Sequence, residues 1–252
     1  MWQPYVLEAR YELVKMARLP TFAFMTLAFP LLFYLLFGVV LSGTKMTGGL
    51  DIAAPVLATI GTMGVVGACL FGLGMGVALE RAQGWFLLKR ATPMRPLVYV
   101  TGKTYASMAF AAAVVVSLCL CATLLGGVHL AAWRWALLAT VLIIGSAPFC
   151  AIGAALGFLT GPNAAPAVIN FIHLPAAFAS GLWMPLELLP RSVGLVGQWL
   201  PQYHLGQLAL AAVGLEPRTG ILRSIVMLVI WMIVGTIGAV ATYRRDEGKR
   251  YG

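Results

Sequence analysis

The stretch IAAPVLATIGTMGVVGACLFGLGMGVAL, residues 52–79, runs from Asp51 to Glu80 without a charged side chain. About 20 apolar residues in a helix cross the ~30 Å hydrocarbon core of a bilayer. A charge at mid-span costs at least ~2.5–3.5 kcal/mol. The 28 uncharged residues therefore predict a membrane-spanning helix. Working outward, similar gaps recur: 26 residues between Arg18 and Lys45, 30 between Lys103 and Arg134, 52 between Arg134 and Glu187, 24 between Arg191 and Glu216, and 20 between Arg223 and Arg244. The whole 252-residue chain is 61% hydrophobic and 10% charged, with mean hydropathy +0.91. Soluble domains run at roughly 45–50% apolar and about 25% charged. These values exclude a disordered chain and argue against a water-soluble enzyme. The expected class is an all-α integral membrane protein.

The 52-residue gap holds two spans, because its middle reads Thr160-Gly161-Pro162-Asn163-Ala164-Ala165-Pro166, which is turn chemistry. Six spans are expected, at about 20–42, 52–79, 104–126, 136–159, 166–183 and 221–243. The gap from 192 to 215 carries Gln198, Gln202, His204 and Gln207 with Pro201 in its middle, too polar and broken for a lipid-facing helix. It predicts a re-entrant or interfacial segment within an outer region 184–219, shielded by protein or water. With both ends on one side, that side holds 12 of the 17 basic residues, so both termini are expected in the cytoplasm. Trp133, Trp135, Trp183 and Trp199 fit an aromatic belt on the outer side. The net charge of +9 thus marks membrane orientation, and no nucleic-acid partner is expected. Residues 1–18 lack the apolar core of a cleavable leader. No soluble domain and no internal repeat are visible.

Several residues invite a functional reading. Cys69, Cys119, Cys121 and Cys150 all lie in expected spans and read as packing residues, with no metal site. Gly64, Ala68, Gly72 and Gly76 form one ridge, and Gly153 and Gly157 another, of the small-xxx-small kind that lets helices approach closely. Phe29, Phe33 and Phe37 make an aromatic stripe on the first span, which Pro30 is expected to bend. Asn170, His173, Ala177 and Ser180 form a polar-to-small stripe on the fifth, either an interhelical seam or the wall of a cavity or dimer interface. Gln3–Arg18 mixes charged with apolar residues and predicts an amphipathic helix on the inner membrane surface, within a segment 1–19 preceding the transmembrane domain 20–252. The cytoplasmic loop 80–103 places Trp85, Phe86, Leu87 and Leu88 together at the water boundary. Such a cluster is costly unless it contacts membrane or a partner, and a short helix docking in a partner's groove is the sharper expectation.

These features together resemble the permease subunit of type-2 ATP-binding-cassette exporters over nearly the whole chain. The family's loop typically shows an acidic-basic pair, a glycine, leucines, Thr-Pro and then Gly-Lys. Here these are Glu80, Arg81, Gly84, Leu87, Leu88, Thr92, Pro93, Gly102 and Lys103. The outer segment shows Ser180-Gly181, Pro185, Leu189-Pro190 and Pro201. Gln83 and Trp85 depart from the glutamate and threonine often found there. The resemblance implies six spans, an N-terminal connecting helix, a cytoplasmic coupling helix and a re-entrant helical segment before the last span. It also implies a bacterial inner-membrane location and a pathway between two permeases, taken as a homodimer.

No G-x-x-x-x-G-K-[ST] phosphate loop occurs, so the chain is not expected to hydrolyse ATP. ATP and Mg would be bound by a separate ATPase subunit, two copies per complex. By the resemblance, Glu80, Arg81, Gly84, Trp85, Phe86, Leu87, Leu88, Thr92 and Pro93 couple to it, and Phe29, Phe33, Asn170 and His173 line the pathway. The expected cargo is amphiphilic: a drug, a lipid or a lipid-linked glycan. The alternative is a stand-alone secondary transporter or channel, which would need carboxylates inside the membrane; none of the eight acidic residues falls mid-span in this topology. A membrane enzyme is disfavoured, because His129, His173 and His204 are scattered and form no H-E-x-x-H pattern.

Overall fold

The computed structural model describes residues 3–40, 52–85 and 96–251, and every regular element among them is helical. In chain order these are α1 (Gln3–Ala17), α2 (Pro20–Tyr34) continued by a π-helical stretch (Leu35–Val40), α3 (Ala53–Ala82), α4 (Pro96–Leu124), α5 (Ala132–Gly145), α6 (Ala147–Leu159) and α7 (Ala165–Ala179). A 3₁₀ turn (Leu186–Leu188), α8 (Arg191–Gly197), α9 (Pro201–Val213) and α10 (Ile221–Tyr251) follow.

Among the described residues five stretches are long and apolar enough to cross a membrane: Phe22–Val40, Ala53–Ala82, Val98–Leu124, Ala132–Leu159 and Ile221–Arg245. The fourth joins α5 and α6 across Ser146, whose hydroxyl donates to the Ile143 carbonyl at 2.7 Å. The stretch expected at 166–183 is shorter. Helix α7 has 15 residues, about 22 Å at 1.5 Å per residue. Its end is set by Gly181, whose φ of +74° is a left-handed turn that favours glycine. The Leu182 amide there donates to the Ala177 carbonyl at 3.1 Å. The expected turn at 160–166 is present between Leu159 and Ala165.

Helix α3 is the central pillar. Of its most hydrophobic window 78% is buried, against 17% for the first span and 11% for the last, whose apolar side chains face outward. Its glycines explain how so many neighbours fit. A Cβ on Gly64 would lie 2.8 Å from Val114 and 2.9 Å from Pro30; one on Gly72 would lie 2.8 Å from both Met16 and Ser107. The ridge read from the sequence therefore packs against α4, α2 and α1. The second ridge meets α3 from the other side: a Cβ on Gly153 would stand 3.0 Å from the Leu70 carbonyl oxygen, and one on Gly157 2.5 Å from that of Gly74. Backbones this close gain dispersion and weak Cα–H···O contacts, which drive helix association where lipid is as apolar as leucine.

Helix α1 is amphipathic in an unexpected sense. Glu12 and Met16 are buried against the spans, with Glu8 beside them, whereas Val6, Leu7 and Tyr11 are 64%, 50% and 68% exposed. The carboxylates turn inward because cations wait there, and the aliphatic face is left to the surroundings. The segment 184–219 is equally particular. Helix α9 is sunk in the molecule, with Gln202, Tyr203, His204 and Gln207 all buried. Its C-terminus is closed by Gly214 at φ +98° and by Arg134, whose Nη1 donates to the Val213 carbonyl at 2.9 Å.

Candidate functional site

The last turn of α3 carries Glu80 and Arg81 to the head of the loop that follows it. Successive helical residues point about 100° apart, so the two side chains leave in different directions. Glu80 is 1% exposed and turns toward α1 and α4. Its Oε2 accepts a hydrogen bond from Tyr99 at 2.6 Å, and its Oε1 lies 3.1 Å from the Lys103 ammonium. Lys15 of α1 also pairs with Glu80. Lys103 in turn binds Glu12 Oε2 at 2.9 Å, and Lys15 stands 3.9 Å from the same atom. Among the described residues, the carboxylates of Glu12 and Glu80 and the ammonium groups of Lys15 and Lys103 thus meet in one cluster spanning three helices. Burying charge is tolerable only when each group is paired and hydrogen-bonded, and this cluster meets the condition. Gly76 makes the room: its absent Cβ would sit 3.3 Å from Lys103 Nζ.

Arg81 turns the other way. Its Nη1 donates to the carbonyls of Gly157 at 3.0 Å, Phe158 at 2.7 Å and Thr160 at 3.1 Å. These are orphan acceptors at the C-terminal end of α6, where a cation is also favoured by the helix dipole. Beyond Arg81 the chain turns at Gly84, whose φ is +73° with open space where a Cβ would be, and Trp85 is 52% exposed. Phe86, Leu87, Leu88, Thr92 and Pro93 lie outside the described residues.

The residues expected to line a pathway are distributed over two settings. Phe29, 41% exposed, stacks on Phe33 with centroids 4.4 Å apart, and Phe33 meets Trp183 edge-on at 5.1 Å. Asn170 is exposed on α7 beside Phe171. His173 instead faces inward with Ala177 and Ser180. Its Nδ1 lies 3.2 Å from Gln202 Nε2, which joins α7 to the buried α9. Of the sequence alternatives for this stripe, His173 lies in an interhelical seam and Asn170 does not. A cavity of about 460 Å³ opens near the C-terminal end of α2 and its π-helical continuation, with Phe33, Phe37, Trp183, Thr59, Gln207 and Arg218 in its lining. Among the described residues no group of three His, Cys, Asp or Glu side chains is placed to hold a metal ion.

Sequence reasoning passed over Tyr99, Glu12 and Lys15 as site residues. The signal for Lys103 was there: it is the charge that bounds the uncharged stretch 104–133, where it needs a partner. Which carboxylate meets which ammonium is a matter of helix packing and is not written in the spacing.

The family described as ABC-2 type transporter matches residues 6–213. YvfS of Bacillus subtilis (strain 168), named as a transport permease, is 26% identical over 237 residues, which cover 94% of this chain and 95% of YvfS. The helical architecture, the apolar spans and this match along most of the sequence agree: the chain belongs to the ABC-2 type transporter family, as a permease subunit.

Proposed function

We propose that this chain is the membrane-spanning subunit of an ATP-driven exporter in a bacterial inner membrane, with both termini cytoplasmic and α7 completing six spans. Two identical copies enclose the pathway, and two separate ATPase subunits, holding ATP and Mg, bind the loop after α3. The observation that carries this reading is the end of α3. Glu80 and Arg81 anchor the loop to the helical core, while Gly84 releases the chain and Trp85 presents an aromatic ring to the outside. An anchored base with an exposed apolar tip suits a helix that docks in a partner's groove and transmits force.

Phe29, Phe33 and Asn170 meet the cargo in this reading, and His173 holds α7 in place from behind. The aromatic stripe suits an amphiphilic cargo: a drug, a lipid or a lipid-linked glycan. Paired copies would cover the exposed apolar faces of α2 and α7, which include Phe24 at 66%, Leu32 at 63% and Phe171 at 81% exposure.

Trp85→Ala combined with Leu87→Ala is expected to abolish co-purification of the ATPase subunit from detergent-solubilised membranes, with membrane insertion unchanged. An undiminished complex would refute docking through this loop.

A further inference from the structure

Two cytoplasmic loops converge on Arg81. The loop that begins at Gln83 follows it directly, and the turn 160–164 between α6 and α7 is bound to it through three carbonyls, two on the last turn of α6 and one on Thr160. The neighbouring Glu80 holds α1 through Lys15 and α4 through Tyr99 and Lys103. These ties lie on different sides of α3, and the two residues are adjacent in the chain. A displacement of the loop therefore reaches α3 at a point already fastened on both sides.

We propose that Arg81 is a positioning residue that carries movement of the coupling loop into α6 and the start of α7, while Glu80 carries it into α1 and α4. The inference rests on the reading of loop 80–103 as the ATPase-coupling loop and adds a division of labour to it. The physical reason is stiffness. A single guanidinium nitrogen, Nη1, gathers the three carbonyls around one point, and the Gly74–Gly157 contact leaves α3 and α6 no slack to absorb the motion. Helix α7 presents Asn170 on its exposed face, so motion entering at Thr160 arrives at the helix proposed to meet cargo.

The test needs no knowledge of the cargo. The wild-type chain, purified with its co-expressed ATPase subunit, is compared by hydrogen–deuterium exchange without nucleotide and with ATP plus orthovanadate. In wild type, exchange is expected to change at least about two-fold both in the 83–95 loop and in the 160–164 turn. In Arg81→Gln, the change in the loop should persist and that in the turn should be lost. Arg81→Lys, which keeps the charge on a shorter side chain without Nη1, should reduce it and serves if the glutamine variant does not fold. A turn that stays silent in wild type, or that still responds in both variants, overturns the role of Arg81. A loop that stays silent in wild type refutes the coupling reading on which the inference rests, and is thus told apart from failure of Arg81 itself.

Discussion

Lys103 is 3% exposed, and among the described residues it pairs with Glu12 and Glu80 at 2.9 and 3.1 Å. Removing one member of a buried pair leaves the other charge uncompensated, at a cost of about 3–5 kcal/mol. Lys103→Met is therefore expected to lower the melting temperature of the purified protein in detergent sharply. Adding Glu12→Gln should recover part of the loss, since that variant removes a stranded carboxylate. Equal stability of Lys103→Met and wild type would show that the cluster is hydrated. At this scale the sequence was informative about which residues matter and silent about direction. Glu80 and Arg81 stood out in the sequence as the acidic-basic pair that closes the charge-free stretch 52–79; that both side chains turn into the helical core follows from where α1, α4 and α6 lie.

At the scale of elements, glycine decides how closely the neighbours of α3 can approach it. Gly157→Ala would place a methyl 2.5 Å from the Gly74 carbonyl oxygen, a backbone atom that cannot rotate away. Overpacking of this kind costs about 1–3 kcal/mol, and a corresponding fall in thermal stability is expected. Gly194→Ala on α8 has nothing within reach. It should be neutral or stabilise by about 0.4–1 kcal/mol, through the unfolded chain. If the two variants melt alike, the close approach of α3 and α6 is not what holds them together. The ridges themselves were visible as four-residue spacing. Their partners were not, because spacing defines a face and leaves open which helix covers it. The amphipathic α1 shows the same division: its mixed composition was plain, but its charged face turns inward only because Lys103 and Glu80 lie behind it.

For the whole molecule, orientation is open to a direct measurement. In a background with all four cysteines replaced, a cysteine at Gln3 is expected to resist a membrane-impermeant maleimide applied to intact cells. One at Glu216 should react within the same time. Labelling of both, or of Gln3 alone, would invert or break the arrangement with cytoplasmic termini. The sequence by itself determined the class. Long charge-free stretches must lie in a bilayer, because a charge at mid-span is too costly, and the bias of 12 basic residues against 5 gives the expected sidedness. It also marked the 192–215 segment as too polar to face lipid, and α9 is indeed buried. Only the tertiary structure decided that α7 ends at Ala179, that His173 bonds to Gln202, and that Glu80 and Arg81 fasten opposite sides of α3. Hydropathy is a sum along the chain and survives any rearrangement of helices. Pairing of charges and closeness of backbones depend on which faces meet, and that is settled only when the helices pack.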